Sequence, residues 1–302
     1  MQTDYYYTLS LLMALFMLVV SLFSVRNSGN KERYEKEISQ LKDMITKKEK
    51  MLKHFKDYAK KTSIIEYKRQ DIVLFGPRWS GKTSIVALWE KPWTVITKIE
   101  SSTAWKNYYI DICKLKENKM MCPTFEVERV FIEKLQVIVH DWPGEDQYRD
   151  EALKTLPRLN NSSIIFLFEL KIKNGTIDDK SLKLNNEYYS KYFLKQLGDV
   201  PTINKNVSKV IITFNKIDLF PSEWTYEKKM ELLRTTYEEQ IDRIKSIFAP
   251  VVIELGTSSR TNENLIRLLA ESASVGLNAS EQRIFNDTLE EKKGKIYERK
   301  QA

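Results

Sequence analysis

Residues 76–83 combine two glycines, a lysine and a threonine at a spacing that suits phosphate binding. The segment is Gly76-Pro77-Arg78-Trp79-Ser80-Gly81-Lys82-Thr83, which fits the pattern G-x-x-x-x-G-K-[ST]. The glycines let backbone N–H groups wrap around phosphate oxygens, the Lys82 ammonium reaches the β and γ phosphates, and the Thr83 hydroxyl ligates Mg²⁺. We predict a loop that binds a nucleoside di- or triphosphate, with Lys82 also as a catalytic residue. Its predicted binding residues are Gly76, Ser80, Gly81, Lys82, Thr83 and Ser84.

A second motif, Asp141-Trp142-Pro143-Gly144, directly follows the apolar run Leu135–His140. The run predicts a buried strand, and an Asp at the carboxyl end of such a strand faces the phosphate side of a parallel sheet. We predict that Asp141 holds the Mg²⁺ shell together with Thr83, and that the Gly144 N–H contacts the γ-phosphate. A D-x-x-G string alone is weak evidence, and its position after the next long buried strand strengthens it.

A third motif, Asn215-Lys216-Ile217-Asp218, closes another apolar run and offers groups that recognise guanine. The Asp218 carboxylate can accept hydrogen bonds from guanine N1–H and the N2 amino group, a pair that adenine does not present. Asn215 would brace the loop, and the stem of Lys216 would cover the base. After the last run, Gly256-Thr257-Ser258-Ser259-Arg260 supplies a backbone N–H for guanine O6 and an arginine that stacks on the base. The predicted base-binding residues are Asn215, Lys216, Asp218, Ser258, Ser259 and Arg260.

Short apolar runs alternate with longer amphipathic stretches, which predicts a doubly wound, mostly parallel α/β domain over residues 69–276. The runs are rich in β-branched and aromatic residues without alternation, as in strands buried on both faces. Spaced apolar residues predict one helix over Glu223–Phe248. The charged residues 277–302 are predicted to be a tail, either a frayed helix or disordered. The predicted strands are Asp71–Phe75, Leu135–His140, Ile164–Leu170, Val210–Phe214 and Val251–Leu255.

The sequence begins with an uncharged apolar run, Tyr5–Val25, whose 21 residues match a hydrocarbon core of about 30 Å. A cleaved signal peptide would carry Lys or Arg before its apolar part, whereas the only charge there is Asp4. We therefore predict a transmembrane anchor at residues 1–25 that contacts lipid through residues 5–25. Basic residues follow it, so the positive-inside rule places the rest of the chain in the cytosol. The two cysteines give no disulfide framework and suit a reducing compartment.

Residues 26–68 are predicted to form a basic helical stalk. No Gly or Pro occurs over residues 31–62, and apolar residues recur three and four apart along Tyr34–Ala59, with one interruption at Lys48. This heptad stripe is typical of a coiled coil, which can pair with a partner helix, with a second copy or with the following domain. Most of the net charge of +8 lies in this stalk. That placement indicates either attraction to anionic lipid or a solvated helix, and no direct nucleic-acid binding.

The order of these motifs resembles the small GTPases over residues 69–276. Within that superfamily, an amino-terminal membrane span, a phosphate loop ending in Ser-Gly-Lys-Thr and an Asp-x-Pro-Gly motif are similar to the β subunit of the signal recognition particle receptor. The segment Cys122-Pro123-Thr124-Phe125-Glu126-Val127-Glu128 also resembles switch I of the related Arf and Sar proteins. The resemblance implies GTP or GDP with Mg²⁺ as cofactors, cytosolic exposure at the endoplasmic reticulum, and a peripheral receptor subunit or effector as partner.

The spacing departs from this family because the stretch before Thr124 is longer than usual. Either an insertion at Trp105–Met121 precedes switch I and Thr124 senses the Mg²⁺, or an earlier threonine such as Thr97 or Thr103 does so. We expect Thr124 to be the metal ligand, since its separation from Asp141 suits two adjacent strands joined by a tight turn.

Glu145 stands where hydrolytic members of that family commonly carry Gln, and Arg78 and Trp79 crowd the phosphate loop. A carboxylate lacks the amide donor and adds charge beside an anionic phosphate, so we expect Glu145, the candidate catalytic residue, to support only slow GTP hydrolysis. These observations leave three alternative functions open. The chain is a membrane-anchored GTP-dependent switch or receptor subunit, a membrane scaffold that holds GTP permanently and binds through its coiled coil, or an ATP-dependent enzyme. Asp218 disfavours the last.

Overall fold

The computed structural model describes residues 2–25, 31–61, 63–90, 106–122, 127–144, 146–159, 162–173, 175–200, 203, 207–248, 252–259, 261 and 264–301. The chain divides into two compact units. The first consists of residues 1–66 and 116–132, and the second of residues 67–115 and 133–302. The predicted phosphate loop, the D-x-x-G motif and the guanine motifs all belong to the second unit.

The first unit begins with two helices, α1 (Gln2–Val25) and α2 (Lys31–Lys61). Neither contains Gly or Pro, the two residues that interrupt helices most strongly. Most of the segment predicted as a stalk, residues 26–68, is thus helical, whereas its last residues from Ile64 onward belong to the first strand of the sheet. Across the part of the chain that the structure describes, no helix combines the length and the apolar character needed to cross a bilayer.

A six-stranded sheet lies at the centre of the fold. The described strands are β1 Ile64–Phe75, β2 Lys106–Cys122, β3 Val127–Asp141, β4 Ser162–Phe168, β5 Ile172–Lys173, β6 Thr176–Ile177, β7 Val207–Asn215 and β8 Val252–Thr257. The sheet has the order β2-β3-β1-β4-β7-β8, while β5 and β6 form a separate antiparallel pair. The pairs β1–β4, β4–β7 and β7–β8 are parallel. The predicted mostly parallel α/β sheet is thus confirmed, and it is compatible with a P-loop fold.

Helices of the second unit bury two apolar clusters on the sheet. They are α3 Lys82–Glu90, α4 Asp146–Thr155, α5 Asp179–Tyr188, α6 Lys191–Gly198, α7 Tyr226–Thr236, α8 Glu238–Ile247, α9 Leu265–Ala273 and α10 Ala279–Gln301. Successive strand residues belong to different clusters, as Ile72 and Val73 of β1 do, because side chains alternate between the faces of a strand. Every residue of β4 is buried, which agrees with its unbroken apolar run.

The segment Trp105–Met121, named above as one explanation of the long spacing, is part of the sheet from Lys106 onward. Residues 106–122 form β2, the outermost strand beside β3. Ile110 and Ile112 are buried while Asp111 between them is exposed. An edge strand needs only one apolar face, so its alternating pattern lacks the continuous run that identified the central strands.

One helix prediction needs correction, and the structure adds detail to another. The single helix predicted over Glu223–Phe248 is broken into α7 and α8 at Tyr237, whose backbone leaves the helical region. The fully buried Tyr237 side chain fills the core at this break. Within the predicted tail, Ala279–Gln301 forms α10, which agrees with the helical alternative, and its Phe285 and Leu289 are buried in one of the two apolar clusters. The fold therefore extends beyond the boundary predicted at residue 276.

Candidate functional site

The phosphate loop between β1 and α3 is closed by its own lysine. The Lys82 ammonium donates hydrogen bonds to the carbonyl oxygens of Gly76 at 2.6 Å and Pro77 at 3.0 Å. The Ser80 hydroxyl is buried and has no hydrogen-bond partner among the described residues. Ser84 is half-buried in the first turn of α3. An ammonium and an unpaired buried hydroxyl are groups that a bound phosphate can engage.

Both glycines of the loop are required by their surroundings. A Cβ atom on Gly76 would lie 2.6 Å from the carbonyl oxygen of Leu167, which leaves no room for a side chain. Gly81 has a φ of +92°, and a Cβ atom there would lie 2.1 Å from Asn215 Nδ2. Residues of β4 and β7 thus lie so close to the loop that only glycine fits at these two positions.

Thr83 and Asp141 meet at the mouth of the loop. The Thr83 hydroxyl donates to Asp141 Oδ2 at 2.8 Å, although the two residues lie far apart in sequence. Burial raises the pKa of the Asp141 carboxyl, while the Lys82 charge and the Thr83 hydrogen bond act against that increase. A hydroxyl and a carboxylate are the oxygen ligands that Mg²⁺ takes, so these residues fit the predicted cation. Within the described residues no cluster of three or more His, Cys, Asp or Glu could hold a metal alone.

Lys82 is a buried cation that lacks a full counter-charge. Burial lowers the pKa of Lys82 from 10.5 to about 8, and the nearby Asp141 carboxylate raises it by a smaller amount. The cost of burying the ammonium without phosphate is therefore only partly offset. An anionic ligand at the loop would supply the missing charge.

The D-x-x-G motif touches the phosphate loop directly through Gly144. A Cβ atom on Gly144 would lie 2.4 Å from the backbone nitrogen of Arg78 and 2.6 Å from the carbonyl carbon of Pro77. The two segments therefore pack backbone against backbone, which only glycine permits at this position. Glu145, the candidate catalytic residue, lies outside the described residues.

Asn215 and Lys216 connect the end of β7 to the phosphate loop. The Asn215 amide donates to the Ser80 carbonyl oxygen at 3.1 Å, and its Oδ1 accepts from the Ser259 N–H at 3.3 Å. The Lys216 ammonium donates to the Trp79 carbonyl oxygen at 2.7 Å. The bracing role predicted for Asn215 thus has a geometric counterpart, because one side chain holds both the phosphate loop and the segment after β8.

Asp218 and Ser258 form a hydrogen-bonded pair beside that connection. The Ser258 hydroxyl donates to Asp218 Oδ1 and accepts from the Thr261 N–H, which lies 3.1 Å from it. Ser258 is fully buried, so the pair has a fixed arrangement. Arg260, predicted to stack on the base, lies outside the described residues.

No protein-family model and no curated protein matches this chain. Its function is therefore inferred from how its own residues are arranged. The fold brings together three motifs that are distant in sequence: the loop 76–83, the segment 141–144, and residues 215–218 with 256–259.

The predicted metal ligand Thr124 lies outside the described residues, as do its alternatives Thr97 and Thr103. In sequence, Thr124 falls between β2, which ends at Cys122, and β3, which begins at Val127. Which threonine senses the Mg²⁺ therefore stays a prediction.

The sequence patterns missed a row of supporting residues on α5. Ser181, Asn185 and Tyr188 are spaced i, i+4 and i+7, which puts them on one face of the helix, and all three are buried. That face contacts Glu169, the residue that follows β4. The sequence signal for this face was polar residues at helical spacing, but the same spacing is equally typical of a helix face exposed to solvent.

Two tyrosines support the start of the phosphate loop. The Tyr189 hydroxyl donates to the Leu167 carbonyl oxygen at 2.7 Å. Burial raises the pKa of Tyr188 to about 12, and a hydrogen bond with the Gly76 backbone acts in the opposite direction. The Arg149 guanidinium of α4 lies over the Tyr188 ring, 5.1 Å from its centroid. Both tyrosines are buried, and they link α4 and α5 to the loop.

Proposed function

We propose that this chain is a membrane-anchored GTP-binding protein that acts as a switch or receptor subunit. The observation that carries the proposal is the double contact of Asn215, which binds the phosphate loop at Ser80 and the segment after β8 at Ser259. One amide thereby joins the predicted phosphate-binding and base-binding halves into a site for a single nucleotide. The motif order, which resembles the β subunit of the signal recognition particle receptor, supports a role in co-translational targeting at the endoplasmic reticulum.

Asp218 supports guanine as the base. Its carboxylate is oriented by the Ser258 hydroxyl and lies two residues after Lys216, whose ammonium holds the phosphate loop at Trp79. Guanine offers two adjacent donors, N1–H and the N2 amino group, that a carboxylate can accept together. In this proposal Lys216 covers the base and a backbone N–H near Ser259 meets O6.

Mg²⁺ fits the phosphate end of the proposed site. Thr83 and Asp141 would hold it, and the ion would neutralise charge on the β and γ phosphates. Lys82 would give up its bonds to the loop carbonyls and donate to phosphate oxygens instead. Gly144 already lies against the loop, where its N–H can respond to a γ-phosphate.

The membrane anchor of the proposal rests on the apolar sequence and the exposed side chains of α1, since no helix of the described residues has the length and apolar character of a span. Large apolar side chains are exposed at successive positions, including Leu11, Leu12, Met13, Leu15 and Phe16. A helix that is apolar on all sides needs an apolar environment, which lipid provides. The basic residues after it orient the nucleotide site toward the cytosol, where a peripheral receptor subunit or effector would bind.

The second candidate function, a scaffold that keeps its nucleotide, is favoured by the exposed apolar face of α2. Ile45 and Phe55 of the heptad stripe are 43% and 54% exposed, so this face remains available for a coiled-coil partner. In the scaffold the nucleotide would be structural. In the switch, Gly144 and the residues around it would respond to the γ-phosphate.

Nucleotide analysis of the full-length chain, purified in detergent, tests the proposed function. We expect denaturation to release GDP or GTP at about one molecule per chain, and we expect the stripped protein to rebind GDP in preference to ADP. Release of adenine nucleotide, or failure of the folded protein to bind either diphosphate, would contradict it.

Single-turnover hydrolysis separates the two candidates and tests the effect of Glu145. For the switch we expect slow but measurable conversion of bound GTP together with exchange against free GDP. Glu145→Gln is expected to accelerate the conversion, since the amide can donate a hydrogen bond and removes a negative charge near the phosphate. GTP that is neither converted nor exchanged over hours supports the scaffold. Fast conversion by the unmodified protein alone would contradict the role given to Glu145.

The low pKa of Lys82 predicts proton uptake on nucleotide binding. In the free protein its folded-state pKa, about 8, lies below the unfolded value near 10.5, so the unfolded state holds the extra proton between these values and stability rises with pH across them. A bound phosphate favours the charged form, so binding at pH 9 takes up a proton, and GDP affinity falls roughly tenfold between pH 7.5 and 9. Calorimetry in two buffers of different ionisation enthalpy measures the uptake; equal heats in both buffers would contradict it.

A further inference from the structure

We propose that Glu169 is a positioning residue of the nucleotide site and acts through Lys216, an inference that rests on the proposed GTP-binding function. Glu169 directly follows β4 and is only 7% exposed. Its Oε1 lies 3.1 Å from the Lys216 ammonium, which in turn donates to the Trp79 carbonyl oxygen at 2.7 Å. A buried carboxylate is thus connected through one ammonium to the phosphate loop.

Helix α5 holds Glu169 at its side chain and its backbone. The Ser181 hydroxyl donates to Glu169 Oε2 at 2.7 Å. The Asn185 side chain accepts from the Glu169 N–H at 2.9 Å and donates to its carbonyl oxygen at 2.8 Å. With one carboxylate oxygen bonded to Ser181 and the other facing Lys216, Glu169 has a single orientation. The buried Glu169 carboxylate, held by α5, therefore fixes the position of the Lys216 ammonium.

The contact between Lys216 and Trp79 joins two residues whose backbone conformations are strained. Lys216 has a φ of +70° and Trp79 a φ of +73°, a backbone conformation that residues other than glycine rarely adopt. Such conformations persist only where surrounding contacts determine them. The hydrogen bond from Lys216 to Trp79 joins the two strained residues directly, and Glu169 supplies the counter-charge that keeps the ammonium there. Glu169 thereby holds the phosphate loop and the base-covering lysine in one shape before nucleotide arrives.

The test is the rate at which a fluorescent N-methylanthraniloyl derivative of GDP dissociates from the full-length protein. Glu169→Gln keeps the shape of the side chain and removes its charge, so we expect dissociation about tenfold faster than from the unmodified protein. Lys216→Met is expected to accelerate release as well. Adding Glu169→Gln to it should then change the rate little, because residues that act through one contact are not additive.

Glu254→Gln is the matched control. Glu254 is also a shielded carboxylate, bonded to Arg234 and Lys245 away from the phosphate loop. We expect this substitution to lower the thermal midpoint without changing nucleotide release, whereas Glu169→Gln changes release at a similar thermal midpoint. Full additivity of Glu169→Gln and Lys216→Met would show that Glu169 does not act through the lysine.

The outcomes separate the two proposals. If the unmodified protein binds no guanine nucleotide, both fail. If it binds GDP and Glu169→Gln releases it at a rate within twofold of the unmodified protein, the role of Glu169 fails while the proposed function stands. If Glu169→Gln does not fold, the same measurement is made on Ser181→Ala, which removes only the hydrogen bond to one oxygen of the Glu169 carboxylate. We then expect release about threefold faster, and an unchanged rate would overturn the inference.

Discussion

Replacing Lys82 with methionine is expected to weaken GDP and GTP binding by a hundredfold or more. In the proposed site the ammonium makes two charge-assisted hydrogen bonds to phosphate oxygens, worth about 3–6 kcal/mol together. In the structure the same ammonium donates to the carbonyl oxygens of Gly76 and Pro77, and burial lowers its pKa to about 8. Removing it deprives two carbonyls of a donor but also relieves a buried charge, so we expect the fold to persist.

Equilibrium binding of fluorescent GDP, with thermal unfolding in parallel, checks this expectation. Lys209→Met is the control, because Lys209 is a similarly shielded lysine bonded to Glu271, remote from the phosphate loop. Lys209→Met should change the thermal midpoint but leave GDP affinity unchanged. Nucleotide affinity within tenfold of normal for a folded Lys82→Met protein would show that the loop does not hold phosphate, and the proposed function would lose its basis.

The proximity of residues 76–83, 141–144 and 215–218 could be predicted because these segments follow short sequence patterns. Gly81 needs its positive φ, and Lys82 its position at the start of α3, whatever the rest of the chain does. The contact between Thr83 and Asp141 followed from a rule about sheets, since Asp141 ends β3 and the loop before Thr83 follows the end of β1. Local sequence and sheet geometry were sufficient for these residues.

Glu169 and the α5 row could not be predicted in the same way. Their roles depend on which helix packs beside the end of β4, and no string in the sequence states this. Ser181 and Asn185 look like ordinary polar residues of an exposed helix until the fold buries them.

Asp218→Asn is expected to change the preferred base from guanine to xanthine. In the proposed site the carboxylate would accept from both donors of guanine, whereas an asparagine would offer one acceptor and one donor. Guanine then loses one hydrogen bond and its amino group faces an amide N–H, which we expect to weaken GDP binding about a hundredfold. Xanthine has an oxygen in place of that amino group, so xanthosine diphosphate gains the bond that guanine loses.

Competition between GDP and xanthosine diphosphate for the same protein measures the change. Asp242→Asn, on the exposed side of α8, is the control and should leave the preference for guanine intact. A folded Asp218→Asn protein that still prefers GDP would contradict guanine recognition at this residue, and undiminished ADP binding would favour the ATP-dependent enzyme instead.

The Ser258 hydroxyl is expected to affect how strongly the Asp218→Asn protein prefers xanthine over guanine. Its oxygen accepts from the Thr261 N–H, so its own hydrogen is directed to residue 218. In Asp218→Asn that hydrogen can meet only the amide oxygen, which turns the NH₂ group toward the base. Adding Ser258→Ala frees the amide to flip, so the double variant should discriminate less between xanthine and guanine than Asp218→Asn alone. Equal discrimination by the two variants would show that the Ser258 hydroxyl does not orient residue 218.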